Sequence, residues 1–406
     1  MLIDIALIIL AALLGNLVFS RIGVPGILGM VVAGIILGPS ALDVIDPEVL
    51  ALLEEFKTVA LIVILIRAGL GISRETLNRI GGPAIRMGFI PAVLEGGMVA
   101  AVACYLLELA FFEAGMLGFI VAAVSPAVVV PQMLEFREGG YGHENEVPTI
   151  VLAGASLDNV FAITLFGLFA GLAAGGSVDL GYLLLGVPAG IVLGGVIGAG
   201  IGYLLVWFFK RYEMQDVRKV ILFMIIAVVF YEVSELPAIR SIIPVAALLG
   251  VMAIGFVILE KADDIAHRLA DQFQKIWVLA EILLFVYIGA VVRIDELSGP
   301  LVGTGLLILA AGLTARSLGV WLSLLGSELN SRERLFCMIA YLPKATVQAA
   351  MGAVPLAMVM EGSITSMSTE NGQVILAIAV LAIVVTAPLG AIGIKRLGPR
   401  LLSRAP

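Results

Sequence analysis

The chain has 406 residues, of which 61% are hydrophobic and only 14% are charged. Because soluble domains of this length carry far more charge, the composition excludes a soluble globular protein and indicates a single multi-pass membrane domain over residues 1–406. The formal net charge of −7 excludes little, since orientation depends on the charges of the loops. His143 and His267 lie in charged loops, and Cys104 and Cys337 lie in apolar runs. We therefore expect no disulfide, no resident metal, no cofactor, no enzyme activity and no nucleic-acid binding.

Apolar runs recur from end to end and predict an all-α protein with about 13 membrane spans. The predicted spans are 2–20, 24–37, 56–72, 83–108, 110–135, 147–175, 180–209, 218–236, 240–258, 272–292, 299–325, 332–360 and 371–395. The first run lacks a basic start and a small-residue cleavage site, so we interpret it as a span rather than a signal peptide.

The distribution of basic residues predicts the orientation. With the N-terminus outside, 18 of the 24 Lys and Arg residues fall in cytoplasmic loops or the C-terminal tail, three fall in outer loops and three lie inside spans. Positive charge collects on the cytoplasmic side of membrane proteins. The sequence therefore predicts an N-out, C-in topology with an odd number of spans.

Prolines interrupt two of the predicted spans at mid-depth. The fifth span contains Pro126 and Pro131 in GFIVAAVSPAVVVPQML, and the twelfth contains Pro343 and Pro355 in MIAYLPKATVQAAMGAVPLAM. A proline removes a backbone donor and clashes with the preceding turn, so it kinks or breaks a helix. Since the two interruptions occupy comparable places in the two halves of the chain, they predict an inverted-repeat transporter with two discontinuous helices.

The seventh predicted span carries glycine at every fourth residue, at positions 190, 194, 198 and 202. Small residues at this spacing allow two helix backbones to approach closely. The pattern predicts close packing, either within one subunit or at a dimer seam.

The stretch LAGASLDNVFAITL places Asp158 and Asn159 in the middle of an apolar run of about 28 residues. A carboxylate at that depth costs about 3 kcal/mol or more, so it needs a partner, water or a function. We predict that Asp158 binds a cation and a proton in turn. The alternative is that it only neutralises Lys344 or caps a broken helix. Asn159 offers a carbonyl ligand but carries no proton.

Three further charged residues lie at mid-span. Glu95 in the fourth span and Arg316 in the eleventh span are symmetry mates if the halves are inverted repeats, so we predict a buried ion pair between them. Lys344 follows Pro343 at the second break. Its ammonium is expected to stabilise the broken helix, or to take part in proton transfer, because a buried Lys changes its protonation readily.

The motifs LIRAGLGIS, VSPAVVVPQML, ASLDNVFAI and YLPKATVQAA together resemble the cation/proton antiporter superfamily, nearest to the NHA-type sodium/proton antiporters. The resemblance implies a homodimer with crossing broken helices, an ion-carrying core at about 56–175 and 272–395, and a dimerisation part at about 1–55 and 180–258. It also implies transport-site roles for Ser125 and Pro126 at one break and for Lys344 and Thr346 at the other. Glu95 and Arg316 match the charged pair of this branch.

One departure from the family pattern concerns the acidic pair. NHA-type relatives read Asp-Asp and another large branch reads Asn-Asp, whereas this chain reads Asp158-Asn159. We predict that Asp158 takes over, giving electroneutral, elevator-like exchange of Na⁺ or Li⁺ for H⁺. The alternatives are K⁺/H⁺ exchange, or a transport-impaired variant or ion sensor, and an engineered Asp-to-Asn change would give the same sequence. We expect membrane lipid as a partner and a prokaryotic inner membrane as the location.

Overall fold

The computed structural model describes residues 2–22, 25–72, 74–174, 180–240, 245–292 and 299–404. Within these residues the chain forms helices and no β-strand. The helices of the first half are α1 (Leu2–Arg21), α2 (Gly26–Leu37), α3 (Pro47–Gly69), α4 (Arg74–Leu106), α5 (Phe111–Ala122), α6 (Pro126–Glu138), α7 (Val147–Ala173) and α8 (Leu180–Arg211). Those of the second half are α9 (Asp216–Glu235), α10 (Pro237–Arg240), α11 (Ala247–Lys261), α12 (Asp263–Ala290), α13 (Gly299–Ser323), α14 (Ser331–Ala340), α15 (Thr346–Met351), α16 (Val354–Met360) and α17 (Thr369–Leu401).

The described helices include eight segments long and apolar enough to cross a bilayer. The predicted spans 24–37 and 332–360 correspond to shorter helices, which are α2 in the first case and α14, α15 and α16 in the second. Residues 24, 175 and 241–244 of the predicted spans lie outside the described residues. The count of about 13 spans and the N-out, C-in orientation stay predictions.

Contacts divide the chain into two compact units. The first unit comprises Met1–Leu50, Gly82–Asp179 and Phe285–Pro406, and the second comprises Ala51–Gly81 and Leu180–Leu284. These bounds differ from the predicted functional division. Residues 1–50 belong to the first unit, and residues 56–81 and 272–284 of the predicted core belong to the second. The assignment of an ion-carrying core and a dimerisation part concerns movement and association, and it stays a prediction.

The first unit contains both interrupted helices. One chain segment forms α5, breaks at residues 123–125 and continues as α6, and the other forms α14, breaks at residues 341–345 and continues as α15 and α16. Pro126 begins α6 at a position where a helix has no use for an amide donor, and Ser125 before it is extended, as a residue preceding proline prefers. Pro131 lies inside α6, and Pro355 lies in the first turn of α16, so neither causes the main break.

The two breaks contact each other directly. The Ser125 amide in the first break donates a hydrogen bond of 2.8 Å to the Pro343 carbonyl in the second break. The Ser125 and Thr346 hydroxyl oxygens lie 3.5 Å apart. Interrupted helices leave backbone amides and carbonyls that a continuous helix would pair internally. Here some of these groups in one break form hydrogen bonds with groups in the other break.

The glycine pattern of α8 packs within the second unit, against α11. A Cβ atom at Gly194 would meet the Ala246 backbone, and one at Gly198 would meet the Gly250 backbone. The Ala246 amide also donates to the Gly190 carbonyl at 3.1 Å. Of the two alternatives that the sequence left open for these glycines, the structure therefore supports close packing within one chain.

Candidate functional site

Asp158 lies on α7 beside the first break, and its side chain is 0% exposed. One carboxylate oxygen, Oδ2, accepts a hydrogen bond of 2.9 Å from the Val124 amide inside the break. The other, Oδ1, accepts one of 2.9 Å from Nη2 of Arg316. The acid thus satisfies a donor that the broken helix leaves free, and its direct ion-pair partner is the Arg316 guanidinium rather than Lys344.

Arg316 on α13 joins the elements around both breaks. Its Nη1 donates to Oε2 of Glu95 at 2.6 Å and also to the Ala122 carbonyl, which is the last of α5. Its Nε donates to the Tyr341 carbonyl at 2.7 Å, and the Tyr341 ring centroid lies 5.1 Å from the guanidinium carbon. A guanidinium offers five donors in a planar fork, which suits it to bridging two carboxylates and two carbonyls at once.

Lys344 lies in the second break and is 0% exposed. Its Nζ donates to Oε2 of Glu95 at 2.6 Å and to the Ala122 carbonyl at 3.2 Å, while its backbone amide donates to the Thr386 hydroxyl at 2.9 Å. Glu95 therefore bridges the two basic residues. With both acids ionised, the four charges balance to zero, which offsets much of the cost of burying each one.

Gln348 on α15 completes the hydrogen bonding at the end of α5. Its Nε2 donates to the Ile120 carbonyl at 2.8 Å and to the Ala123 carbonyl at 2.9 Å. The last carbonyls of a helix carry partial negative charge. At this end of α5, Arg316 and Lys344 both donate to the Ala122 carbonyl, and the neutral Gln348 amide donates to the carbonyls on either side of it. Sequence reasoning missed Gln348, whose one weak signal was an amide two residues after Thr346 in YLPKATVQAA.

Four buried side-chain oxygens near these residues have no hydrogen-bond partner within the described part of the chain. They are Oδ1 of Asn159, Oε1 of Glu95, Oε1 of Gln348 and the hydroxyl of Tyr341. Asn159 is 7% exposed and follows Asp158 on α7. Carbonyl and carboxylate oxygens are the ligands that hard cations prefer. Among the described residues, no group of three or more His, Cys, Asp and Glu side chains could hold a resident metal.

The predicted site residues other than Asn159 thus fall into two groups. Asp158, Glu95, Arg316 and Lys344 form one hydrogen-bonded cluster. Ser125 lies in the first break, and Pro126 and Thr346 begin the helices that follow the two breaks, within the same unit. The Asp158 carboxylate links the charged cluster to the first break, because it accepts a hydrogen bond from the Val124 amide.

The chain is similar in sequence to known sodium/hydrogen exchangers. The profile of the family described as "Sodium/hydrogen exchanger, transmembrane" matches residues 7–398. The mouse (Mus musculus) protein sodium/hydrogen exchanger 9B2 is 32% identical over 384 residues, covering 94% of this chain and 69% of the relative. The human (Homo sapiens) protein of the same name is 33% identical over 389 residues, covering 94% of this chain and 70% of the relative.

Solved structures show the same fold. The sodium proton antiporter MjNhaP1 from Methanocaldococcus jannaschii at pH 8 superposes with a TM-score of 0.78 at 20% sequence identity, covering 98% of this chain and 99% of that chain. At this identity the similarity concerns the fold alone. It confirms the predicted all-α antiporter fold with two discontinuous helices.

Proposed function

The chain belongs to the transmembrane sodium/hydrogen exchanger family, and from that premise we propose that it exchanges Na⁺ or Li⁺ for H⁺ across a membrane. The superfamily predicted from the sequence motifs is confirmed, and the chain is a multi-pass integral membrane protein. The relatives that match most of the chain are named as exchangers, which are transporters and not enzymes.

The observation that carries the proposal is the position of Asp158. Its carboxylate is fully buried, lies beside the first break and is held by one guanidinium and one backbone amide. A buried acid is costly unless its charge is compensated, and Asp158 shares its compensating guanidinium with Glu95. In the proposed cycle a bound cation or a proton replaces that guanidinium as the group that compensates Asp158. We propose that Asp158 is ionised when it holds the cation and protonated in the other half of the cycle.

Arg316 and Glu95 support this cycle. Because the guanidinium also binds Glu95, it keeps one carboxylate partner whenever Asp158 takes a proton or turns toward a cation. Lys344 holds Glu95 from the other break at 2.6 Å. We propose that the Glu95–Arg316 pair and Lys344 form a fixed structural frame, and that Asp158 is the group whose load changes.

The remaining ligands of the cation are proposed from the unpartnered or weakly paired oxygens. The Asn159 side-chain carbonyl supplies one ligand, and the Ser125 and Thr346 hydroxyl groups line the breaks. Pro126 keeps the first break open, because it starts α6 without an amide donor. The site is transient, so Na⁺ or Li⁺ is cargo and not a resident metal.

One exchanged carboxylate predicts electroneutral transport. The carrier holding Na⁺ and the carrier holding H⁺ have the same total charge when only Asp158 exchanges its load. The cycle then moves no net charge, and the membrane potential, worth about 2.3 kcal/mol per charge at 100 mV, neither drives nor opposes it.

We propose an elevator-like movement of the ion-carrying core at about 56–175 and 272–395, and a homodimer formed through the part at about 1–55 and 180–258. Membrane lipid is the expected partner of the apolar outer surface. We propose a prokaryotic inner membrane as the location, although the mouse and human relatives are eukaryotic proteins.

One observation favours a second candidate, a transport-impaired variant or ion sensor. Both Asp158 oxygens already accept hydrogen bonds, and Asn159 carries no charge that could attract a cation in its place. If Arg316 never releases Asp158, the chain would bind the cation weakly or not at all.

The two candidates separate in a vesicle assay. The purified chain is reconstituted with a pH-sensitive dye inside, and Na⁺, Li⁺ or K⁺ is added outside. The proposal predicts saturable alkalinisation with Na⁺ and Li⁺. A response to K⁺ alone would instead identify K⁺/H⁺ exchange, and no response to any cation would favour the impaired variant or sensor.

A further inference from the structure

A buried glutamate lies at the start of each first half-helix, away from the charged cluster. Glu113 is in the first turn of α5 and is 2% exposed, and Glu333 is in the first turn of α14 and is 1% exposed. Within the described residues neither carboxylate forms an ion pair. Each lies roughly 12–15 Å along its helix from the break that follows, at a rise of 1.5 Å per residue.

Glu113 makes two hydrogen bonds through the same oxygen. Its Oε2 accepts from the Ala110 amide at 3.0 Å, which caps α5, and from Nδ2 of Asn371 at 2.9 Å. Asn371 lies in the first turn of α17, where its own amide donates to the Ser368 hydroxyl at 3.0 Å. The bond to Ala110 is an ordinary cap, but the bond to Asn371 joins α5 to a distant helix.

Glu333 repeats this arrangement in the other half of the chain. Its Oε2 accepts from the Asn330 amide at 2.9 Å, which caps α14, and from Nδ2 of Asn145 at 2.9 Å. Asn145 lies in the loop directly before α7. The atoms, the distances and the burial match those of the Glu113 cluster.

The two clusters are related by the order of the helices. Helix α5 leads into the first break and α7 follows it, whereas α14 leads into the second break and α17 follows it. Glu113 thus links the first half-helix of one repeat to the helix that ends the other, and Glu333 makes the reciprocal link. By the predicted topology, the Glu113 cluster faces outside and the Glu333 cluster faces the cytoplasm.

We propose that Glu113 and Glu333 are paired positioning residues that cross-link the two repeats at opposite ends and hold the two breaks in register for cation binding. A carboxylate accepts stronger hydrogen bonds than a neutral carbonyl does. The second bond of each glutamate is what distinguishes a cross-link from a helix cap. The effect on cation binding rests on the proposed function, whereas the effect on the breaks does not.

The test introduces a repulsion between two carboxylates in each cluster and then removes it with a second substitution. Asn371→Asp places a second carboxylate against Glu113, and Asn145→Asp does the same to Glu333. Adding Glu113→Gln to the first variant, or Glu333→Gln to the second, restores both bonds, because a glutamine offers an acceptor to the capped amide and a donor to the aspartate. Glu108→Gln and Glu328→Gln, at exposed positions near the same ends, are the matched controls.

Two readouts are measured on the full chain. Each Asn→Asp variant should raise the KM for Na⁺ roughly tenfold, the scale of one lost charge-assisted bond, with a smaller change in maximal rate. Hydrogen exchange of the amides at residues 123–125 should accelerate in parallel. Both changes should revert in the repaired variants and be absent in the controls.

Unchanged KM and unchanged exchange at residues 123–125 in both Asn→Asp variants would overturn the inference. Faster exchange confined to the first turns of α5 and α14 would also overturn it, since that result describes caps alone. If an aspartate variant fails to fold, Asn371→Leu and Asn145→Leu remove the donor without adding charge and replace it in the comparison. If the unaltered chain transports no Na⁺, the proposed function fails, and hydrogen exchange still decides the positioning role.

Discussion

Replacing Asn159 by aspartate changes the number of exchangeable charges at the site without changing the shape of the side chain. Asn159 is 7% exposed, and its Oδ1 has no hydrogen-bond partner among the described residues. The basic groups nearest in the network, on Arg316 and Lys344, are already shared between Asp158 and Glu95. A new carboxylate therefore has no cation of its own and needs a proton or the transported ion to be neutral.

The expected consequence of Asn159→Asp is a change from electroneutral to electrogenic exchange. Two carboxylates release two protons for each Na⁺ bound, so each cycle moves one net charge. At about 100 mV that charge is worth about 2.3 kcal/mol, which shifts the Na⁺ gradient at equilibrium by about 50-fold. The unaltered chain should show no shift, because its two loaded states carry equal charge.

The assay measures exchange in vesicles whose membrane potential is set by a K⁺ gradient and valinomycin. The matched control combines Asp158→Asn with Asn159→Asp, which keeps one carboxylate and moves it by one position. This control should be insensitive to potential if it transports. Potential-dependent exchange by the unaltered chain, or potential-independent exchange by Asn159→Asp, would refute the charge count on which the reasoning depends.

Two further predictions concern stability, measured by denaturant titration of the detergent-solubilised protein. Arg316→Gln leaves Asp158 and Glu95 without their shared donor, so the free energy of unfolding should fall by about 3–5 kcal/mol. The control Lys395→Gln, at an exposed position, should change it by less than about 0.5 kcal/mol. Equal effects of the two substitutions would contradict a stabilising role of the buried network. Gly198→Ala brings a methyl group against the Gly250 backbone and should cost about 1–3 kcal/mol. Gly200→Ala, with open space around it, should be neutral or stabilising, and a loss equal to that of Gly198→Ala would show that close packing is not the cause.

The sequence predicted the two breaks because proline acts locally. Pro126 and Pro343 mark the interruptions, and the structure confirms them at residues 123–125 and 341–345. Pro131 and Pro355 do not mark the main breaks. Pro355 falls in the first turn of α16, where a missing amide costs nothing, and Pro131 is accommodated within α6.

The partners within the site were harder to predict than its members. Hydropathy gives the depth of a residue in the membrane, but it does not give the direction in which the side chain leaves its helix. The sequence therefore singled out Asp158, Arg316 and Lys344, yet it considered Lys344 as the partner of Asp158, whereas Arg316 occupies that place. Gln348 escaped notice because an uncharged amide in an apolar run carries no strong signal. Its role depends on carbonyls more than 200 residues away along the chain.

The central claim is that Asp158 carries both the cation and the proton, and Asp158→Asn tests it most directly. The variant keeps the size of the side chain and removes the exchangeable charge. In vesicles with an internal pH dye, and with folding checked by gel filtration, we expect Na⁺-driven proton movement to fall to the level of protein-free vesicles. Na⁺-driven exchange at the rate of the unaltered chain would contradict the account.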